Sequence, residues 1–240
     1  MKHPLHYLLT LSCCVLLGTL KLSGQETQLS LNVGFSNYNG DISKTVDAFS
    51  LGEYRPAAGI HFKQKHNPYF TTRFGLQYGQ ATATDAIAES EPRRLRNLSF
   101  VTNIFEIGLM EEFNLLGFDY YEGKYFSPYI FAGIAGFYFN PKAEYLGRLY
   151  ELQPLGTEGQ GIPGFGEKYN LYQFAIPFGL GLKYALTESI TLSLELGGRK
   201  LFTDYLDDIS GTYVNYQTLL QNNGELAAIL AHRSGEYLGT

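Results

Sequence analysis

Phe174-Ala-Ile-Pro-Phe-Gly-Leu-Gly-Leu-Lys-Tyr184 and Ile190-Thr-Leu-Ser-Leu-Glu-Leu-Gly-Gly-Arg199 write one two-residue rhythm twice, with a short polar break between them. Phe174, Ile176, Phe178, Leu180, Leu182 and Tyr184 fall on one face, and Ala175, Pro177, Gly179, Gly181, Lys183 and Ala185 on the other. The second run sets Ile190, Leu192, Leu194 and Leu196 against Thr191, Ser193, Glu195, Gly197 and Arg199. Strands of about 9–11 residues with aromatic ends, whose second face carries Lys, Glu and Arg, suit a membrane barrel better than the dry core of a soluble sandwich.

The rhythm recurs along the chain. Leu29, Leu31, Val33 and Phe35 alternate with Ser30, Asn32, Gly34 and Ser36; Ile60 and Phe62 alternate with Gly59, His61 and Lys63; Phe70, Phe74, Leu76 and Tyr78 alternate with Arg73, Gly75, Gln77 and Gly79. From about Phe100 to Phe113, Phe105, Ile107 and Leu109 point out and Thr102, Glu106, Gly108 and Glu112 point in. The run from about Ser127 to Phe139 is apolar on both faces, which leaves its orientation open. Seven strands are legible. The 19 Tyr, 17 Phe and 27 Gly suit interface aromatics and crowded walls, and a formal net charge of −5 offers no basic footprint for nucleic acid.

At the N-terminus, Lys2 and His3 precede an apolar core from Leu5 through Leu20, and Ser23-Gly24 ends it before Gln25-Glu26-Thr27. This reads as a secretory signal peptide over residues 1–24, cut after Gly24, with the barrel domain in 25–240. Lipid attachment at Cys13 is the weaker alternative, because it would leave a very short apolar segment. Both cysteines, Cys13 and Cys14, lie in the leader, so the mature chain has no thiol chemistry.

Connection lengths predict orientation. Gln64–Pro68, Leu186–Ser189 and Asn114–Phe126 are the shorter, periplasmic links, while Asn39–Tyr54, Ala81–Ser99, Asn140–Gln173 and the segment from Asp204 onward face outward. Within the last, Tyr216–His232 suggests a helix or two, interrupted near Asn222-Asn223-Gly224. An all-β, antiparallel up-and-down membrane barrel of this kind needs an even number of strands, so eight are expected, and residues 233–240 show no alternation to supply the last. The closing C-terminal strand is therefore expected beyond the given residues, with pairing to another chain as the lesser alternative.

Five segments carry a resemblance: Glu106–Asn114, Ser127–Gly136, Leu152-Gln-Pro-Leu-Gly-Thr-Glu-Gly-Gln-Gly161, Ala175–Tyr184 and Phe202-Thr-Asp-Tyr-Leu-Asp-Asp-Ile-Ser-Gly211. Together they resemble the PorG-like family of outer-membrane barrel proteins of the type IX secretion system, over roughly residues 28 to 240. The third and fifth are far more specific than generic alternation. The resemblance implies a non-enzymatic structural role in the cell outer membrane, anchoring the periplasmic ring built from a lipoprotein and its partner subunit. It implies no catalytic residues and no cofactor, and members carry a final strand after this point. The alternative is a generic small outer-membrane barrel for adhesion or envelope integrity, since a fold does not fix a function.

Side-chain chemistry adds further expectations. His61, Lys63, Arg73, Lys183 and Arg199 should meet Glu106, Glu112 and Glu195 in the lumen, because about eight strands leave an interior only wide enough for side chains. Leu115, Leu116, Phe118, Tyr120, Tyr121 and Tyr125 make the longer periplasmic link rich enough to bind a partner, or to form an aromatic girdle in the headgroups. Asp204, Asp207 and Asp208 could ligate calcium, but the spacing fits no known loop, and ordering of an external turn is the better reading. The glycines at 156, 159, 161, 164 and 166 lack the strand-to-helix junction of a phosphate cradle. His61 with the inward Ser30, Ser36 and Ser193 is the nearest approach to a hydrolase, and no nucleophile motif supports it. Arg93, Arg94 and Arg96 are read as a solvated loop ahead of a lipopolysaccharide contact.

Overall fold

The computed structural model describes residues 7–14, 27–42 and 53–239. The expected cleavage point, half of the leader core and residues 43–52 of the first outward link lie outside them. Eight strands form a closed antiparallel ring in chain order: β1 (Tyr7–Cys14), β2 (Thr27–Asn39), β3 (Arg55–Lys65), β4 (Phe70–Thr84), β5 (Ser99–Asn114), β6 (Phe126–Phe139), β9 (Tyr172–Ala185) and β10 (Thr191–Leu201). A small hairpin, β7 (Lys142–Tyr145) and β8 (Arg148–Glu151), stands on the rim beside β5. No helix among the described residues is long and apolar enough to cross a membrane.

The ring has the eight strands expected, but its closing strand is N-terminal and not the C-terminal one expected beyond the given residues. Its eighth place is taken by Tyr7–Cys14, inside the expected leader, which pairs with Val33–Asn39 of β2 and Ser193–Lys200 of β10. The leader core alternates as well as being apolar: Thr10 stands in register with Ser36 and Gly197, and Ser12 with Gly34 and Glu195, while Leu11 stands opposite Phe35 and Leu196. One sequence thus satisfies both the run of apolar residues a leader needs and the period of two a strand needs.

The outer face is apolar: Val33, Phe35, Leu76, Ile107, Leu109, Ile130, Ile134, Leu180 and Leu194 are all exposed on a surface that only lipid can cover. Aromatic pairs bound this band. Phe70 packs on Phe113 at the end with short links, and Tyr78 on Phe105 and Tyr138 on Tyr172 toward the other. The rise from Phe70 to Tyr78 is about 26 Å along the strand, or about 20 Å along the membrane normal at a tilt of about 40°. The girdles thus stand somewhat closer together than the apolar band of about 25 Å typical of such barrels.

The orientation of β6, open in the sequence, is settled by packing. Ser127, Tyr129, Phe131, Ala135, Phe137 and Phe139 are buried and Ile130 and Ile134 are exposed. Large rings can point into so narrow a lumen because glycine faces them. A Cβ at Gly181 would come within 2.5 Å of the Tyr129 ring, and one at Gly75 within 1.8 Å of His61.

The interior has two storeys. Toward the short links it is polar; toward the long ones it is an apolar core in which Phe100, Ile104, Phe137 and Phe139 pack on Leu152, Leu206 and Leu230 from the long loops. The long loops fold down over the mouth instead of standing free. Their helices are α1 (Glu91–Arg96), α2 (Leu152–Leu155), α3 (Tyr216–Asn222), α4 (Glu225–Ala231) and α5 (Ser234–Leu238). The expected break falls between α3 and α4, where Asn223 donates from its side-chain amide to the carbonyls of Leu155 and Gly156 at 3.1 and 2.8 Å.

Candidate functional site: plug, cap and base

The polar storey is a filled plug. Glu112, fully buried, accepts from Lys63 at 2.7 Å, from Lys183 at 3.0 Å and from Arg73 at 3.2 Å. Arg73 also reaches Glu195 at 2.6 Å, and the Tyr129 hydroxyl donates to the same carboxylate oxygen at 2.6 Å. One storey higher, Arg199 holds Glu106 through Nε and Nη2, both at 3.0 Å, and Nη2 also donates to Gln77. The structure gathers all eight of the lumen residues named above. His61 stands apart from the ion pairs, meeting Gln77 at 3.0 Å.

Among the described residues of the plug, four buried cations, Lys63, Arg73, Lys183 and Arg199, face three buried carboxylates, Glu106, Glu112 and Glu195. Aromatic faces take up the remainder. Arg73 lies 4.2 Å from the Phe131 ring centre, and Lys183 lies 4.7 Å from that of Tyr129 and 5.1 Å from that of Phe118. Tyr129 and Phe131 escaped the sequence reading because β6 is apolar on both faces and gave no cue to which side was the lumen, while Phe118 was expected as a partner contact.

The cap at the long-loop end joins the two most specific sequence segments to each other. Thr157 donates its hydroxyl to Asp208, and Tyr169 does so at 2.5 Å. Glu158 accepts from the backbone N–H groups of Ser210, Gly211 and Thr212 at 3.0–3.1 Å and from the Ser210 hydroxyl at 2.6 Å. Asp207 accepts from the Tyr38 hydroxyl at 2.8 Å and from the N–H of Ile209 at 3.2 Å. Tyr169 stacks between Tyr205 and Phe139, with ring centres 4.4 and 6.0 Å away. Burial pushes the carboxyls of Asp207 and Asp208 up to about 7 despite these donors.

The three aspartates do not converge on one point. Asp207 and Asp208 serve different partners, and no cluster able to hold a metal occurs among the described residues. Asp207 orders the turn through the N–H of Ile209, and Asp208 ties it to Thr157 and Tyr169. The basic run is likewise committed inward: Arg94 donates to the carbonyls of Ala88 and Glu89, and Arg96 holds Asp85 at 2.7 and 3.0 Å. A cavity of about 240 Å³ lies under the cap, walled by Ile42, Leu98, Leu152, Val214 and Leu230 beside Asp207 and Asp208.

The base, at the short-loop end, divides the six expected contact residues. Phe118 is 8% exposed and closes the plug from below, its N–H donating to the carbonyl of Pro68 at 2.7 Å. Leu115, Leu116, Tyr121 and Tyr125 are exposed, Tyr121 by 66%. Tyr120 packs edge-on against both Tyr121 and Tyr125. Asp119 anchors the turn: Lys65 reaches it at 2.7 Å and holds its carboxyl below the usual range together with the N–H groups of Tyr121 and Glu122, which donate at 2.9 and 3.2 Å. Tyr121 also donates to Glu188 of the neighbouring turn at 3.0 Å.

The sequence profile of DUF6089, described as a domain of unknown function, matches residues 6–227. The chain belongs to the DUF6089 family. No curated protein matches it. Among solved structures, the chain is similar to Ail, the attachment invasion locus protein of Yersinia pestis, crystallised in complex with the heparin analogue sucrose octasulfate. The two share 10% identity at a TM-score of 0.31, over 81% of this chain and 95% of that one. The topology of this DUF6089 protein rests on its own strand register.

Proposed function

We propose that this DUF6089 protein is a structural component of the bacterial outer membrane that anchors the periplasmic lipoprotein ring of the type IX secretion system. The observation that carries the reading is the base: Leu115, Leu116, Tyr121 and Tyr125 stand exposed on a turn braced by the Lys65–Asp119 pair. Short links lie in the periplasm in barrels of this kind, so a soluble partner can reach this platform without crossing lipid. Exposed aromatic and aliphatic residues on a rigid support are the common anchors of protein interfaces. The filled plug supports a role that passes nothing through the lumen, and the segment resemblance names the machinery.

The test uses Leu116→Ser combined with Tyr121→Ser, which spares the buried Phe118. Affinity purification from detergent-solubilised outer membranes should lose the ring lipoprotein while heat-modifiable gel mobility stays at the wild-type value. Retention of the lipoprotein at the wild-type level would refute the assignment. The second reading, outward adhesion, draws on the exposed Leu146 and Leu149 of the β7–β8 hairpin and on Tyr213. It would gain if deletion of that hairpin abolished surface attachment and left secretion intact.

A further inference from the structure

We propose that the plug contains one built water site, in which a single water molecule bridges Arg73, Asn32 and Glu195. A chamber of about 30 Å³ lies inside the barrel wall, lined by Asn32, Arg73, Gln77, Phe131, Glu195 and Arg199. A water needs about 10–15 Å³ and two to four polar partners, so the space suffices. The partners are present and unspent. Arg73 commits Nη1 to Glu112 and Glu195 and Nη2 to the Met110 sulfur, which leaves Nε–H buried with no acceptor among the described residues. The side-chain carbonyl of Asn32 is likewise buried with no donor among them.

Glu195 supplies the third partner. Its Oε1 takes both Arg73 and Tyr129, and Oε2 is the second acceptor of the same buried carboxylate. A water accepting from Arg73 Nε–H and donating to Asn32 Oδ1 and Glu195 Oε2 satisfies all three at once. A buried guanidinium N–H and a buried amide carbonyl left unmet would each carry a desolvation cost, which the water removes. The excess of buried cations invites a halide instead, but two of the three inward groups are acceptors and would repel an anion. The water ties the lower ion pairs to β2 through Asn32.

The full-length protein in lipid nanodiscs, labelled with ¹⁵N-arginine, provides the test. The Arg73 Nε–H should show a direct cross-peak to water, and the cross-peak should vanish in Asn32→Leu, which fills the chamber. A crystal structure of the wild type at about 1.8 Å or better should show a density peak within hydrogen-bonding distance of Arg73 Nε and Asn32 Oδ1. Two results overturn the proposal: an empty chamber in which Arg73 Nε meets Asn32 directly, or an anomalous peak there after bromide exchange. Both wild-type measurements stand even if Asn32→Leu fails to fold.

Discussion

Glu112→Gln isolates the centre of the plug. The substitution keeps the shape of the side chain and removes the one charge that Lys63, Lys183 and Arg73 share at 2.7, 3.0 and 3.2 Å. Four buried cations would then face two carboxylates, and the new amide N–H₂ would have to point at an ammonium or guanidinium. Breaking a buried ion pair from one side costs about 3–5 kcal/mol, because the remaining charge keeps its desolvation penalty. Three cations are affected, but the rings of Phe118, Tyr129 and Phe131 retain part of their stabilisation, so about 3–5 kcal/mol is expected for the site as a whole. Urea unfolding in detergent micelles, followed by the gel-mobility shift between folded and unfolded barrel, measures it. Glu111→Gln, one residue away on the outer face, should stay within about 0.5 kcal/mol. Adding Lys183→Met to Glu112→Gln restores the original charge difference and should recover about half of the loss. A Glu112→Gln barrel within about 1 kcal/mol of wild type would show that the plug is held by its packing and not by its charge.

Three further outcomes are expected. Asp207 and Asp208 keep protons up to about pH 7 in the folded cap but lose them near 3.8 when unfolded, so cap stability is full below about pH 4 and falls as the pH rises to 7. Each carboxyl is worth at most about 4 kcal/mol across that window. Amide exchange of Ile209–Thr212 should accordingly be slower at pH 5 than at pH 7.5 after correction for intrinsic rates, and Asp208→Asn should abolish about half of the difference, leaving the part due to Asp207. Leu194→Arg, on the lipid face, should cost roughly 2–4 kcal/mol and impair insertion, whereas Ser193→Arg should be limited by space in the plug; equal effects on membrane fractionation would reverse the face assignment. Intact-mass analysis of protein purified from the outer membrane should show a chain starting at Gln25, and a retained N-terminus would make Tyr7–Cys14 a permanent strand.

The outward and inward faces of six strands were legible because a barrel strand has only two environments and the sequence alternates between them. Charged residues at every second position announced the plug for the same reason, and Lys63, Arg73, Glu112, Lys183 and Glu195 meet there. The rule failed where both faces are apolar. In β6 the inward Tyr129 and Phe131 are cation partners and read no differently from the outward Ile130 and Ile134. It failed again in the leader, where Tyr7–Cys14 fits a strand as well as an export signal. The cap was beyond reach for a different reason: Thr157 and Asp208, or Glu158 and Ser210, lie some fifty residues apart, and no local pattern reveals that two loops hold each other.

The two-storey interior also has a mechanical meaning. A hollow barrel can shear or ovalise under load, whereas one cross-tied by ion pairs below and braced by packed aromatics above resists such distortion. Force applied at the exposed turn carrying Tyr121 enters β5 and β6 directly and spreads through the interstrand hydrogen bonds of the wall. The Arg73–Glu195 pair, like a spoke, ties β4 to β10 on the opposite wall across the axis. Such a post suits a machine that must be held in place in a fluid bilayer. Its task would be to stay rigid while other subunits move.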